Sequence, residues 1–223
     1  MAVGELKVRL ITAAIILPVF GFALFLGEDV WTFLMVMLAI LMTLEWQQLS
    51  LNLPKSIRIA GIPYIALAVA SAIMLRRDPC GLDGMLFVIA CVVATDSAAY
   101  FGGKRFGKHK LAVTLSPGKT WEGLGCGMVA AGIAGACISA LEGYPFTLSG
   151  GVAVGVLLAV VSQAGDLLES GVKRAANVKD SGTMLPGHGG LLDRMDGYLT
   201  ALPCFYGLMM WDNFYGTAGA AAI

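Results

Sequence analysis

Between Gly165 and Gly197 the chain crowds five acidic side chains (Asp166, Glu169, Asp180, Asp193, Asp196) among five basic or imidazole ones (Lys173, Arg174, Lys179, His188, Arg194). Asp193 and Asp196, three apart at a predicted helix start, share one face. Asp166 closes a different predicted helix. Three carboxylates from two helix ends can hold a hard divalent cation, which takes oxygen ligands and keeps waters that a phosphate can displace. Lys173, Arg174, Lys179, His188 and Arg194 sit among them. A salt-bridge network explains this mixture poorly, whereas phosphoryl chemistry uses both parts: metal on the phosphate oxygens, and Lys or Arg on the developing charge. The "PGHGG" stretch lets backbone amides of Gly189 and Gly190 approach a ligand closely. Two histidines in the whole chain cannot build a zinc site of the usual kind, so His188 reads as a phosphate or base contact.

A second polar stretch runs from Asp96 to Gly123, "DSAAYFGGKRFGKHKLAVTLSPGKTWEG". Its "SPGKT" resembles the tail of a phosphate-binding P-loop, but that motif needs glycine where Val113 stands, and no strand is expected before it. Ser116, Lys119 and Thr120 nevertheless lead straight into a predicted helix at Trp121. Hydroxyls, a lysine and a helix N-terminus together make an anion site. The competing reading is a basic loop that anchors to anionic lipid; the neighbouring 165–197 block favours the site.

These groups must be positioned by very apolar elements. Hydrophobic residues make up 57% of the 223 and charged ones 13%, about half the charge of a soluble domain. Mean hydropathy is +0.78. We therefore expect an all-α polytopic membrane protein, a single transmembrane domain over 1–223. Seven apolar runs are long enough to cross a bilayer: 8–26, 30–49, 57–75, 83–101, 122–141, 147–168 and 197–219. The N-terminal helices occupy about 8–80 and the catalytic portion about 83–219. Zero net charge gives no field for nucleic acid. Cys80, Cys91, Cys126, Cys137 and Cys204 are odd in number and lack paired spacing, so they read as small buried hydrophobes. Gly123, Gly127 and Ala131 form a small-residue stripe suited to close helix packing.

The positive-inside rule orients the map. With a cytoplasmic N-terminus, thirteen of the fifteen Lys and Arg fall on the inner side, and only Arg76 and Arg77 fall outside. Glu45, Asp96, Glu122, Asp166, Glu169, Asp193 and Asp196 fall on that same cytoplasmic face. Carboxylates inside spans are costly and usually functional. For Glu45 an equal alternative is a helix-end charge reaching to the headgroups.

"SGVKRAANVKDSGTMLPGHGGLLDRMD" (Ser170 to Asp196) resembles the signature of the phosphatidate cytidylyltransferase (CDP-diacylglycerol synthase) family. That pattern has Ser, Lys-Arg, four residues, Lys-Asp, then His-Gly-Gly, two residues and Asp-Arg-x-Asp. Ser170, Lys173, Arg174, Lys179, Asp180, His188, Gly189, Gly190, Asp193, Arg194 and Asp196 all match it. With "FGKHKLAVTLSPGKTWEG", the likeness covers about 96–197; the first 80 residues share only hydropathy. The resemblance implies that CTP and phosphatidate give CDP-diacylglycerol and pyrophosphate, with Mg²⁺ required. It implies Asp166 and Asp193 as metal ligands supported by Asp196, with a second ion such as K⁺. Lys173, Arg174, Lys179 and Arg194 would hold phosphates. Ser116, Lys119 and Thr120 would meet the nucleotide, with Asp96, His188, Gly189 and Gly190 in the substrate site. A homodimer in the bacterial inner membrane is the expected assembly, its site facing the cytoplasm. Members of the family are longer, with more spans in the N-terminal half.

Two rivals are weighed against it. A CTP-dependent polyprenol or dolichol kinase would need a base for the lipid hydroxyl, and the full motif argues against it. A cation-coupled transporter fits intramembrane carboxylates, but these gather at one leaflet instead of the midplane.

Overall fold

The structure is a computed structural model and describes residues 3–141 and 146–220. Seven helices account for most of it: α1 (Val3–Leu26), α2 (Glu28–Leu49), α3 (Lys55–Arg77), α4 (Gly81–Phe106), α5 (Trp121–Ser139), α6 (Leu148–Ala175) and α7 (Leu192–Ala220). Six of them, α1 to α6, contain stretches long and apolar enough to cross a membrane. Their outward surfaces are apolar as well: Leu17 is 71% exposed, Phe33 69% and Phe101 68%. Water would not tolerate such a surface and lipid would, so the chain is an integral membrane protein.

The breaks between helices follow local chemistry. Gly27 has φ 135°, a conformation only glycine adopts freely, and it separates α1 from α2. Pro54 precedes α3, where its missing N–H costs nothing. Thr147 caps α6, its hydroxyl accepting from the Gly150 amide at 3.1 Å.

Packing runs α2 on α3, α3 on α7, and α4–α5–α6–α7 in sequence. The small-residue stripe behaves as expected. A Cβ at Gly123 would lie 2.8 Å from the Ala99 carbonyl, and one at Gly127 would lie 3.1 Å from Thr95, so α5 meets the α4 backbone there. Ala131 is fully buried against Gly155 of α6. The core is aliphatic and aromatic, with Phe87 and Phe205 stacked at 5.3 Å between ring centroids. All five cysteines are free.

Three expectations are corrected. The stretch 110–120 is a two-stranded antiparallel sheet, β1 (Lys110–Ala112) against β2 (Ser116–Thr120), so the fold is not purely helical. "SPGKT" is itself the second strand and has a strand before it. It still forms no P-loop, because β2 runs into α5 without an intervening loop. The sixth helix also continues past residue 168 to Ala175. Asp166, Glu169, Ser170, Lys173 and Arg174 are therefore helical neighbours, spaced to interact at i, i+3 and i+4.

Candidate active site

The C-terminal ends of α2, α4 and α6 meet the N-terminal ends of α5 and α7 and the β-hairpin at one end of the bundle. Long-range bonds tie them together: Lys119 to Asp166, Gln163 to Asp96, Arg174 to Leu115 and Ser181 to Glu45. Almost every candidate side chain lies in this layer.

Asp166, 30% exposed, stands between two partners. Its Oδ2 lies 2.6 Å from Lys119 Nζ, and its Oδ1 accepts from Ser170 Oγ at 3.2 Å. β2 leads directly into α5, and this rigid junction delivers Lys119 to α6. Asp96 accepts from Gln163 Nε2 at 3.0 Å. Asp96, Asp166 and Asp196 lie close enough to feel one another's charge.

Asp193 sits in a different environment. Lys173 Nζ donates to its Oδ1 at 2.6 Å and to Glu169 Oε1 at 3.1 Å. Its Oδ2 accepts from the Ser181 amide at 2.9 Å and the Gly190 amide at 3.0 Å. Asp193 precedes the apolar run of α7. Burial pushes its carboxyl up, but the Lys173 ammonium and the two amides outweigh burial and hold it below the usual carboxylate value.

Several assignments therefore shift. Among the described residues Asp166 and Asp193 share no direct partner, and Asp196 feels the charges of both Asp166 and Lys173. Among the described residues no three metal-ligating side chains form a closed cluster. Lys173, expected on a phosphate, is buried in an ion triad with Glu169 and Asp193. Arg194 donates twice to the His188 carbonyl, at 3.1 and 2.6 Å, and so holds the "PGHGG" turn. Arg174 donates to the Leu115 and Val178 carbonyls. Lys179 is exposed. His188 Nδ1 is buried and has no hydrogen-bond partner among the described residues.

Gly189 has φ +87°, which the turn requires. A Cβ on Gly190 would fall 1.9 Å from both Glu45 Oε1 and Ser181 Oγ.

Ser116 pairs with Ala112 in the hairpin. Thr120, expected to contact nucleotide, is 4% exposed, and its hydroxyl accepts from the Gly123 amide at 3.1 Å as the cap of α5. Loss of such a cap costs about 0.5–2 kcal/mol. Thr120→Ala is therefore expected to lower the unfolding midpoint of the purified protein while Thr120→Ser preserves it. An unchanged midpoint in the alanine variant would refute the capping role. Below the cap, Glu122 accepts from the Lys108 and His109 amides at 3.1 and 3.2 Å, and its Oε1 lies 2.6 Å from His109 Nδ1, closing the base of the hairpin.

Glu45 is the residue that sequence reasoning underrated. It does not reach to headgroups: it is 1% exposed. It accepts from the Ser181 hydroxyl and from the Leu191 and Leu192 amides at 2.8 and 3.4 Å. The available signal was a lone carboxylate within an apolar helix, which rarely survives without partners.

This end of the bundle offers carboxylates in excess of lysines, several cations in reach, and a glycine turn. Such a layer can bind phosphates together with a cation. A sequence model of the family described as "Cytidylyltransferase family" matches residues 55–211. The phosphatidate cytidylyltransferase of Brucella suis is 42% identical over 178 residues, 78% of this chain and 63% of that protein. That of Bacillus subtilis is 40% identical over 66% of this chain and 55% of its own length. That of Rickettsia bellii is 31% identical over 91% of this chain and 90% of its own. The chain thus spans less than two thirds of the Brucella and Bacillus relatives and nine tenths of the Rickettsia one. The match over 55–211 contains both polar stretches, and the chain belongs to the cytidylyltransferase family.

Proposed function

We propose that the chain transfers the cytidylyl group of CTP to phosphatidate, giving CDP-diacylglycerol and pyrophosphate. The observation that carries this reading is the folded Ser170–Asp196 motif: its carboxylates and cations meet the 110–120 hairpin at one end of an apolar bundle. The relatives' names support the same reaction. A phosphate oxygen of phosphatidate forms a bond to the α-phosphorus of CTP, and the α–β bridging P–O bond breaks to release pyrophosphate. The attacking phosphate is already ionised, so no strong general base is required. Catalysis rests on positioning and charge neutralisation.

The donor set suits Mg²⁺. Asp96, Asp166, Glu169, Asp193 and Asp196 offer only oxygen, and two lysines, Lys119 and Lys173, are paired into this group. Asp166 and Asp193, supported by Asp196, would hold the ion, with a second ion such as K⁺ in the same layer. When bound, the metal neutralises phosphate oxygens. Lys119, now on Asp166, is poised to exchange from the carboxylate to a nucleotide phosphate. Ser116, Lys179, Arg174 and Arg194 complete the phosphate-binding set, and Asp96, His188, Gly189 and Gly190 line the substrate site. His188 Nδ1, buried and unpartnered, has a hydrogen bond to offer. Thr120 serves by capping the helix that follows Lys119.

We further propose that α7 is a seventh span, that the N-terminus and the polar layer face the bacterial cytoplasm, and that the protein is a homodimer in the inner membrane. The thirteen-to-two distribution of Lys and Arg supports the orientation. Cysteines introduced near Lys108 or Lys179 are expected to label only from the cytoplasmic side; labelling from outside would invert the map.

The decisive assay incubates purified protein with CTP, Mg²⁺ and phosphatidate and weighs the products. CDP-diacylglycerol and pyrophosphate are expected. A lipid gaining one phosphate, with CDP released, would identify a kinase instead.

A further inference from the structure

We propose that Glu45, on α2 and outside the stretch matched by the family model, is a positioning residue that holds the loop 181–192 in the shape that aims Asp193. Its carboxylate is buried and meets three donors, the Ser181 hydroxyl and the Leu191 and Leu192 amides. The two amides are those of the first residue of α7 and the residue just before it, at a helix end whose free N–H groups and dipole favour an anion. Among the described residues no lysine or arginine forms a salt bridge with Glu45. A carboxylate buried this way is a poor stabiliser in general, because desolvation offsets what its partners return. A well-packed apolar side chain would fill the space, but it would leave three buried donors unmet. Glu45 is therefore explained by the geometry it fixes.

That geometry reaches the catalytic layer in one step. Ser181 is gripped from two sides: its hydroxyl by Glu45 and its amide by Asp193 Oδ2. Gly190 is gripped by Asp193 through its amide and pressed against Glu45 where a side chain would stand. Gly182 also approaches closely, a Cβ there falling 3.0 Å from Glu45 Oε1. The same atoms that locate the loop thus fix one oxygen of Asp193 and leave Oδ1 aimed at Lys173. α1 adds an outer contact, the Thr12 hydroxyl donating to the Pro186 carbonyl at 2.9 Å. Two N-terminal helices beyond the matched stretch therefore shape the site.

The test reads the loop itself, by amide hydrogen exchange of the full chain in lipid nanodiscs without substrate. Glu45→Ala is expected to speed exchange across 181–192 by at least about tenfold, the effect of losing hydrogen bonds to a charged acceptor. Amides of α3 to α5 should exchange as before. Glu45→Gln, which keeps one acceptor oxygen, should fall between. The catalytic arm rests on the proposed cytidylyl transfer. There kcat should fall by at least about tenfold for Glu45→Ala and recover in part for Glu45→Gln, in step with the exchange. Unchanged exchange over 181–192 in Glu45→Ala overturns the proposal. So does acceleration spread evenly over all helices, which marks a general stability role. Should Glu45→Ala fail to accumulate, Ser181→Ala removes only the hydroxyl bond and must still speed exchange in this segment; no change there overturns it equally. A wild-type chain that forms no CDP-diacylglycerol defeats the catalytic reading alone, because the exchange arm needs no turnover.

Discussion

Asp166→Asn is expected to leave a folded protein whose formation of CDP-diacylglycerol falls by at least about a hundredfold, the scale of losing one preorganised charge-stabilising group. Asparagine keeps an oxygen for the Ser170 hydroxyl and turns its NH₂ toward the Lys119 ammonium, removing the charge that lysine faces. The Lys119 nitrogen is itself buried, so a modest loss of midpoint should accompany the change, smaller than at Asp193 because Asp166 is 30% exposed and Asp193 10%. Asp193→Asn is expected to differ in kind. Its two oxygens meet Lys173 on one side and two backbone amides on the other. Whichever way an asparagine turns, its NH₂ faces a donor, so this variant should lose stability as well as turnover. Turnover against Mg²⁺ concentration, with unfolding midpoints alongside, separates the two. A folded Asp166→Asn protein with near-normal turnover at limiting Mg²⁺ would refute the metal assignment.

Lys173→Met carries the largest expected cost in stability. Lys173 is 8% exposed, and its ammonium compensates both Glu169 and Asp193. Removing it leaves two carboxylates without their cation, and breaking a buried pair from one side typically costs about 3–5 kcal/mol. The unfolding midpoint should drop sharply and turnover with it. Glu169→Gln is expected to be far milder, because it removes a charge and leaves the Lys173–Asp193 pair intact. Adding Glu169→Gln to Lys173→Met should restore part of the midpoint, since one uncompensated charge then remains instead of two. If Lys173→Met instead keeps the wild-type midpoint and only weakens CTP use, Lys173 is the phosphate ligand that the motif alone implied, and the triad is incidental.

Much of this architecture is legible along the chain because it is local. Apolar runs of bilayer length dictate helices, and the seven found begin and end within several residues of the seven read. Antiparallel alternation of such helices then carries Asp96, Asp166 and Asp193 to one end, whatever the side chains do there. The polar block at 170–196 likewise stands out as a candidate site, because lipid-like surroundings do not tolerate charge without use. The tertiary structure decided which charge meets which. Lys119 finds Asp166 and Lys173 finds Asp193, so two lysines read as phosphate ligands also act as counter-ions for the acids. Thr120 turns inward as a cap because β2 runs unbroken into α5. Glu45 joins Leu191 across 146 positions of sequence. Such a pairing leaves no period or spacing behind, because it depends on how two helices lie side by side once the chain has closed.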